Sequence, residues 1–249
     1  MDPLVRLLTD GATPRTWSVL VTIMGDMASE PGAGLSGPLL ARLTGGMGIR
    51  PSALRTALHR LRREGWIESR REGRATTHGL TEAGRAETLA ASPRIYGPAP
   101  EGALHLVLVA PSEALPAGAV AVAPELALAA GPAGWSVPID APPPWVAERV
   151  APIELLAMAA DVADRLGALT ARLDAGEAGD ATVLRLLVLH LWRRLALRVP
   201  SLPEAAFGAS WRGGEARRLA HALLIRLPVE GGGHVAAAPE ADQNGESGK

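Results

Sequence analysis

Nine arginines are concentrated between Arg42 and Arg74, and the same stretch contains three glutamates and no lysine. A guanidinium is planar and donates hydrogen bonds in a fixed fork, which suits phosphate groups and the edge of guanine. The net charge of the stretch is +6. The pattern therefore predicts a local surface that binds DNA or phosphate, and the alternative is an arginine-rich helical face that is only solvated.

The basic stretch is local, because the chain as a whole is nearly neutral. Its 249 residues have a formal net charge of -1 at pH 7. Residues 1–97 carry 13 arginines against nine acidic residues (net +4), and residues 98–249 carry 12 cations against 17 acidic residues (net -5). A uniformly basic surface is excluded, so a nucleic-acid site must lie on one face of the N-terminal part.

Three helices are predicted around the arginines from the spacing of apolar residues and from helix breakers. They span residues 14–28, 38–43 and 51–64, and Pro51 suits the first position of the third helix because no N–H is needed there. On a helical wheel of the third helix, short polar side chains lie opposite the leucines and arginines lie on both flanks. This distribution is typical of a helix in the major groove of DNA.

A basic hairpin is predicted directly after this helix, with strands at residues 66–71 and 75–80 and a turn at residues 72–74. Its arginines would form a wing that reaches the DNA backbone or a minor groove. Thr81 is the predicted N-cap of a further helix that continues to about Ala91. This order of elements predicts a winged helix-turn-helix, and the alternative is a winged helix that contacts proteins without binding an operator. The predicted DNA-binding residues are Arg50, Ser52, Arg55, Thr56, His59, Arg62, Arg63, Arg70, Arg71 and Arg74.

The chain resembles the PaaX-like transcriptional repressors in several of these stretches. The matching segments are residues 15–22, 25–26, 49–66, 70–74, 80–85 and 94–97, and near the other end residues 190–194 and 200–211. The resemblance implies a winged-helix domain, a ferredoxin-like middle domain and a helical C-terminal domain. It also implies a homodimer that represses a catabolic operon and is released by an acyl-CoA or aryl-CoA effector. We expect such a dimer to bind a palindromic operator whose half-sites lie about one helical turn, roughly 34 Å, apart.

The middle of the chain departs from the family pattern. Strands are predicted at residues 104–109 and 120–122, and residues 138–144 are extended and rich in proline. Only about ten residues separate the two strands, and Pro111 and Pro116 interrupt them, so there is no room for the helix of a full ferredoxin-like unit. We therefore expect a shortened middle segment.

Three helices are predicted in the C-terminal part, at residues 153–173, 181–199 and 214–227. One interpretation is that they form only a core and a dimer interface. The other is that they contain an apolar effector pocket lined by tryptophans, with arginines that receive an anionic group. The candidate effector-binding residues are Trp192, Arg193, Arg194, Trp211, Arg217 and Arg218.

The expected fold class is α+β and mostly α. Residues 1–97 form the predicted winged helix-turn-helix domain, residues 98–150 a reduced β segment, residues 151–228 the helical effector and dimerisation domain, and residues 229–249 a disordered tail.

The sequence contains none of the common catalytic or cofactor-binding motifs. It contains no cysteine, its six histidines lack paired metal spacing, and no phosphate loop, dinucleotide fingerprint or nucleophile elbow occurs. The strand at residues 104–109 also ends without a carboxylate for Mg²⁺.

The N-terminus lacks the pattern of a signal peptide, and no run of 18 residues is apolar enough to span a bilayer. We expect a cytoplasmic protein with no enzymatic activity, cofactor, metal or membrane partner.

Overall fold

A computed structural model describes residues 1–72 and 75–228 of the chain. Within these residues it contains nine α-helices, one 3₁₀ helix and two small sheets, so the expected mixture of helix and strand with mostly helix is confirmed. Arg74, Gly73 and the predicted tail at residues 229–249 lie outside the described residues.

Five helices form the N-terminal part: α1 (Pro3–Thr9), α2 (Thr16–Met27), α3 (Gly37–Gly46), α4 (Pro51–Arg63) and α5 (Glu82–Tyr96). Helices α2, α3 and α4 agree with the predicted ones to within about three residues at each end. Helix α5 continues five residues beyond its predicted end, through Pro93. Helix α1 was not predicted, because seven residues are too few for a clear apolar period.

Local capping interactions set the helix starts. The Asp2 Oδ1 accepts the backbone N–H of Leu4 at 2.7 Å before α1, and the Thr81 Oγ1 accepts that of Gly84 at 3.1 Å before α5, as the sequence predicts. Between α3 and α4, Gly48 has a φ of 80°, a left-handed value that favours glycine. This turn directs α4 away from α3.

The first sheet has three antiparallel strands in the order β1, β3, β2, where β1 is Leu35–Ser36, β2 is Ile67–Glu72 and β3 is Ala75–Leu80. The predicted hairpin is β2 and β3, and its register pairs Ile67 with Leu80 at the base and Arg71 with Thr76 near the turn. Strand β1 pairs with β3 just before α3, and so ties the start of that helix to the hairpin.

The second sheet has four antiparallel strands: β4 (Leu104–Leu108), β5 (Val120–Ala123), β6 (Leu126–Ala130) and β7 (Trp135–Ile139). Their order is β5, β6, β4, β7, and residues 109–119 between β4 and β5 contain no helix. Strands β4 and β5 were predicted, whereas β6 and β7 were not. Strand β7 contains Pro138 and lies at the edge of the sheet, where one missing N–H is tolerated.

The remaining helices are α6 (Pro144–Val150), α7 (Ile153–Asp174), α8 (Ala181–Ala196) and α9 (Gly213–Arg226), with the 3₁₀ helix at Glu204–Phe207 before α9. The three long helices agree with the predicted ones, although α8 ends three residues earlier than expected. Helix α8 is buried on most sides, as its sequence predicts. No helix in the described part of the chain is both long and apolar enough to cross a membrane.

One hydrophobic cluster joins the N-terminal and C-terminal helices. It includes Leu20 of α2, Leu61 of α4, Leu166 of α7, Leu187 of α8 and Ala220 of α9. A second cluster fills the space between the four-stranded sheet, α6 and the 3₁₀ helix. The domain boundaries stay predictions. The apolar cluster is continuous from α4 to α8, so α4 packs on the same core as the C-terminal helices.

A buried ion pair lies within the larger cluster. The Arg185 guanidinium donates from Nε to Asp26 Oδ2 at 3.0 Å and from Nη2 to Asp26 Oδ1 at 3.1 Å, and the two side chains are 6% and 0% exposed. The Tyr96 hydroxyl also donates to Asp26 at 3.1 Å, and burial together with this carboxylate raises the pKa of Tyr96. Arg185 Nη1 donates in turn to the carbonyls of Leu224 and Leu227. The pair thereby connects α2, α5, α8 and the end of α9.

Replacing Asp26 by Asn should destabilise the protein strongly, because a buried guanidinium would lose its counter-charge. We expect a loss of about 3–5 kcal/mol in the free energy of unfolding, measured by urea denaturation. Asp174→Asn is the control, because its ion pair with Arg226 is largely exposed and should contribute less than about 1 kcal/mol. Equal losses in the two variants would show that the buried pair does not stabilise the fold.

Candidate nucleic-acid interface

Helix α4 is divided into a buried and an exposed face. Leu54, Ala57 and Leu61 are buried against the core. The opposite face is exposed along its whole length, and it carries the residues that the sequence singles out. They are Ser52, Arg55, Thr56, His59, Arg62 and Arg63, preceded by the exposed Arg50 at the N-cap.

Four guanidiniums around α4 have no partner within the described part of the protein. Those of Arg50, Arg55, Arg62 and Arg63 form neither an ion pair nor a hydrogen bond with any described residue. Thr56 donates its hydroxyl to the Ser52 carbonyl at 3.0 Å, which fixes one short side chain between the arginines. The exposed face of α4 therefore has guanidinium donors at its edges and short polar side chains at its centre. This arrangement suits contacts with phosphates and base edges.

The C-terminal end of α4 is held by a cluster that the sequence analysis did not identify. Glu64 accepts from Arg60 Nε at 2.7 Å and from the indole Nε1 of Trp17 at 3.2 Å. The Arg60 guanidinium also lies over the Trp17 ring, 5.5 Å from its centroid. The hydrogen bond from Arg60 is the largest of the effects that lower the pKa of Glu64. Arg60 is thus used to join α4 to α2, unlike its arginine neighbours.

The hairpin carries Arg70 and Arg71 on β2, and both are exposed. Arg70 forms an ion pair with Glu68 on the same strand. On the neighbouring strand His78 is buried, with its Nδ1 2.9 Å from the Ser69 hydroxyl. Burial lowers the pKa of His78, and the positive charge of Arg62 lowers it further. Helix α4 also packs directly against β2, so α4 and the hairpin are neighbours in the fold.

The predicted effector residues do not converge on one pocket. Trp192, Trp211 and Arg217 line a cavity of about 170 Å³. Trp192 donates its indole N–H to the Ile95 carbonyl at 2.7 Å, and Arg217 donates to the Gly97 carbonyl at 2.9 Å while lying 5.0 Å from the Trp192 ring centroid. Trp192 and Arg217 therefore attach the end of α5 to α8 and α9, whereas Trp211 stacks on Phe207.

Arg193 and Arg194 line a separate polar groove of about 720 Å³ next to α1 and α2, together with three further arginines. Arg193 donates to the Ser18 carbonyl and to the Thr22 hydroxyl, each at 3.3 Å. Arg218 is exposed and lines neither this groove nor the smaller cavity. The groove combines five arginines with two aspartates, so its net charge is positive. Its arginines are Arg15, Arg165, Arg193, Arg194 and Arg198.

A buried histidine lies at the base of this groove. The Nδ1 of His190 is 3.2 Å from the Thr22 hydroxyl. Burial lowers the pKa of His190 to about 4, and the charges of Arg193 and Arg194 act in the same direction. His190 is therefore neutral at pH 7. No group of three or more potential metal ligands occurs among residues 1–72 and 75–228.

Comparison with known proteins identifies the family. Residues 15–84 match the model of the PaaX-like proteins, and residues 155–237 match that of the PaaX-like C-terminal domain. The chain belongs to the PaaX-like family. It is 28% identical to the transcriptional repressor PaaX of Escherichia coli strain K12 over 274 residues, which cover 91% of this chain and 85% of the relative. Among solved structures, the uncharacterized protein Rv0674 from Mycobacterium tuberculosis is similar, with a TM-score of 0.49, 18% identity, and coverage of 87% and 96% of the two chains.

The depressed pKa of His190 predicts a loss of stability in acid. In the unfolded chain a histidine binds a proton near pH 6.5, whereas folded His190 does so only near pH 4. Between these values the unfolded state binds more protons, so the free energy of unfolding falls as the pH falls, by on the order of 3 kcal/mol from this residue. Urea denaturation at pH 7.5 and pH 5 should show a smaller pH effect in His190→Gln. An unchanged pH effect in that variant would contradict the assignment.

Proposed function

We propose that the protein is a transcriptional regulator that binds double-stranded DNA through α4 and the β2–β3 hairpin, arranged as a winged helix-turn-helix. The observation that carries the proposal is the set of unpaired, exposed guanidiniums around the outward face of α4. Buried or paired arginines would suit a structural role, but these side chains have donors that no described residue accepts, so they are available to an external acceptor. The family, and the name of the Escherichia coli relative, support the same function.

In this proposal α4 enters the major groove with its exposed face toward the bases. Arg55, Thr56 and His59 lie near the middle of that face and contact base edges, where a bidentate arginine recognises guanine. Arg70 and Arg71 on the hairpin contact the flanking backbone and anchor the protein, and we expect the same of Arg74, which lies outside the described residues. Phosphate contacts fix the orientation, and base contacts supply the sequence preference.

We infer that the protein acts as a homodimer on a palindromic operator whose half-sites lie about one helical turn, roughly 34 Å, apart. Apolar side chains that a partner could cover support self-association. Leu108 and Trp135 pair across β4 and β7 and are 48% and 65% exposed, and Val137 beside them is 41% exposed. Contiguous exposed apolar surface of this kind often marks a protein interface.

We also propose that the regulator is a repressor of a catabolic operon that is released by an acyl-CoA or aryl-CoA effector. The positively charged groove beside α8 supports this part of the proposal, because it has the volume and the guanidiniums to receive the phosphates of such a molecule. Of the predicted effector residues, Arg193 and Arg194 line it. Trp192 and Arg217 are instead bonded to backbone carbonyls.

The four-stranded sheet supports the proposed relation to a ferredoxin-like unit. When its strands are numbered one to four along the chain, their spatial order is 2, 3, 1, 4, with every neighbouring pair antiparallel. This is the strand order of a ferredoxin-like sheet. Loops replace both crossover helices in residues 109–119 and 131–134. We propose that it is a reduced form of the middle domain.

Binding to the region upstream of the protein's own gene tests the proposal directly. We expect a retarded band in a gel-shift assay, and an affinity that falls steeply with salt because several phosphates are contacted. Complete absence of sequence-selective binding would contradict DNA recognition and favour a protein-interaction role for the same module.

Substitutions should separate the two kinds of contact. Arg71→Ala should weaken all sequences alike and reduce the salt slope by about 1, whereas Arg55→Ala should change the sequence preference by about 1–3 kcal/mol. Arg218→Ala is the matched control, because it removes an exposed arginine far along the chain from α4. Fluorescence anisotropy with operator and mismatched duplexes provides the measurement. An Arg71→Ala protein with unaltered affinity and salt slope would show that the hairpin does not touch DNA.

A further inference from the structure

The junction between α4 and the hairpin consists of Glu64, Gly65 and Trp66, and both of its side chains bond to other helices. Glu64 follows α4 directly and accepts the indole N–H of Trp17 on α2 at 3.2 Å. Trp66 precedes β2 directly and donates its own indole N–H to Glu87 on α5 at 3.1 Å. Gly65 between them has a φ of 72°, which favours glycine. Two indole–carboxylate bonds thus tie the junction to α2 and to α5.

Backbone bonds bring the end of α4 and both ends of the hairpin together at the junction. The Trp66 N–H donates to the Leu61 carbonyl of α4 at 2.9 Å. Thr81, which follows β3, donates its hydroxyl to the Gly65 carbonyl at 2.6 Å. Its N–H donates to the Trp66 carbonyl at 3.1 Å. A shift of the junction would therefore change how α4 and the hairpin lie relative to each other.

The indole bonds supply directional contacts that apolar packing lacks. Leu54, Ala57 and Leu61 hold α4 on the core, but the burial of apolar surface depends on area and not on angle. A hydrogen bond weakens steeply when its donor angle departs from linear. Both indole bonds lie at the surface, so each contributes little to the free energy of unfolding. Their main effect is to restrict the orientation of the junction.

Charge alone does not account for a glutamate at the end of α4. Glu64 follows a helical turn that contains three arginines, and a carboxylate beside a face that contacts DNA repels phosphates. Its Oε1 accepts from Arg60 at 2.7 Å while its Oε2 accepts from Trp17. The Arg60 guanidinium also lies 5.5 Å from the centroid of the Trp17 ring. The carboxylate thus supplies two acceptor oxygens that join donors on α4 and α2.

We propose that Glu64 and Glu87 are positioning residues for DNA recognition. Through their bonds to the two indoles they set the angle between α4 and the hairpin. That angle determines the distance between the base contacts of α4 and the backbone contacts of the hairpin. Loss of either bond leaves every arginine in place, but the two sets of contacts no longer match one operator. The inference rests on the proposed function and assigns it four residues that do not touch DNA.

Fluorescence anisotropy compares an operator duplex, taken from the region upstream of the gene, with a random duplex. Trp17→Phe and Trp66→Phe each remove one indole donor without changing the charge. We expect each to weaken operator binding by about three- to tenfold, the effect of one hydrogen bond, and to leave random-duplex binding and its salt slope unchanged. Trp145→Phe is the matched control, because this ring is 49% exposed and no described residue accepts its N–H. Unchanged operator binding, or equal losses on both duplexes, overturns the proposal.

Glutamate variants separate positioning from charge, because the two effects have opposite signs. By electrostatics alone, removal of a negative charge tightens binding to all DNA. If Glu64 positions α4, Glu64→Ala instead weakens operator binding, and Glu64→Gln, which keeps an acceptor oxygen, restores part of it. Glu82→Ala is the control, because it removes an exposed charge on α5 that forms no bond with a described residue. Thermal melts establish that each variant is folded. Tighter operator binding by Glu64→Ala overturns the proposal.

A distance measurement without DNA separates this inference from the proposed function. The chain contains no cysteine, so spin labels at His59→Cys on α4 and Thr76→Cys on β3, both exposed, report the distance between helix and hairpin. We expect Trp17→Phe and Trp66→Phe to shift or broaden the distance distribution, and Trp145→Phe to leave it unchanged. Identical distributions in all three variants overturn the positioning role. A shifted distribution in a protein that binds no DNA contradicts the proposed function and still supports control of the angle by these bonds.

Discussion

Asp26 and Arg185 meet where α2, α5, α8 and the end of α9 come together, and almost no surface of either side chain reaches solvent. Two charges in such a place are tolerated only if each satisfies the other and if the remaining donors and acceptors also find partners. Tyr96 and the carbonyls of Leu224 and Leu227 complete that set. The relative position of the four helices is therefore restricted by hydrogen-bond geometry as well as by apolar packing.

The orientation of α4 follows from this constraint. Helix α2 packs against α4 on one side and α8 on the other, so the buried pair on α2 fixes the layer on which α4 rests. The end of α5 is tied to the same layer, because the Ile95 carbonyl accepts from both Trp192 and His221. Since one apolar cluster spans both ends of the chain, a change at α8 can reach α4 through contacts between adjacent helices.

The elements that could be predicted from the sequence are those whose apolar or turn pattern lies within a short stretch of chain. Helix α4 and the hairpin could be predicted because one has a clear apolar face with Pro51 at its start and the other has a short turn between alternating strands. Elements and contacts that depend on a partner distant along the chain could not be predicted in this way. Helix α1 is too short to have a pattern of its own, and it is held by packing on α7 and α8. The Trp17–Glu64 bond joins residues 47 positions apart, and the one available signal was an indole N–H that needs an acceptor.

The predicted effector residues show why residue type alone does not define a site. Arginines and tryptophans near the C-terminus were grouped because they could bind an aromatic anion, yet three of the six, Trp192, Arg193 and Arg217, donate hydrogen bonds within the fold. Within this group Arg217 donates to the Gly97 carbonyl at 2.9 Å, and outside it Arg94 of α5 donates in the same way to the Val199 carbonyl at 2.7 Å. Donors satisfied in this way stabilise helix ends and chain reversals, because a carbonyl that is left unpaired in a buried place costs free energy.

The same distinction separates the arginines of this chain into two groups. Where the guanidinium is bonded to a carbonyl or a carboxylate, as in Arg94, Arg185 and Arg217, it belongs to the architecture. Where it is exposed on α4 and bonded to nothing in the described protein, as in Arg55 and Arg63, its donors are available to an external partner. Arg193 lies between these cases, since its hydrogen bonds to α2 are 3.3 Å long and it forms no ion pair with any residue that the structure describes. Unused hydrogen-bonding capacity, more than net charge, marks the surfaces at which this near-neutral protein can recognise other molecules.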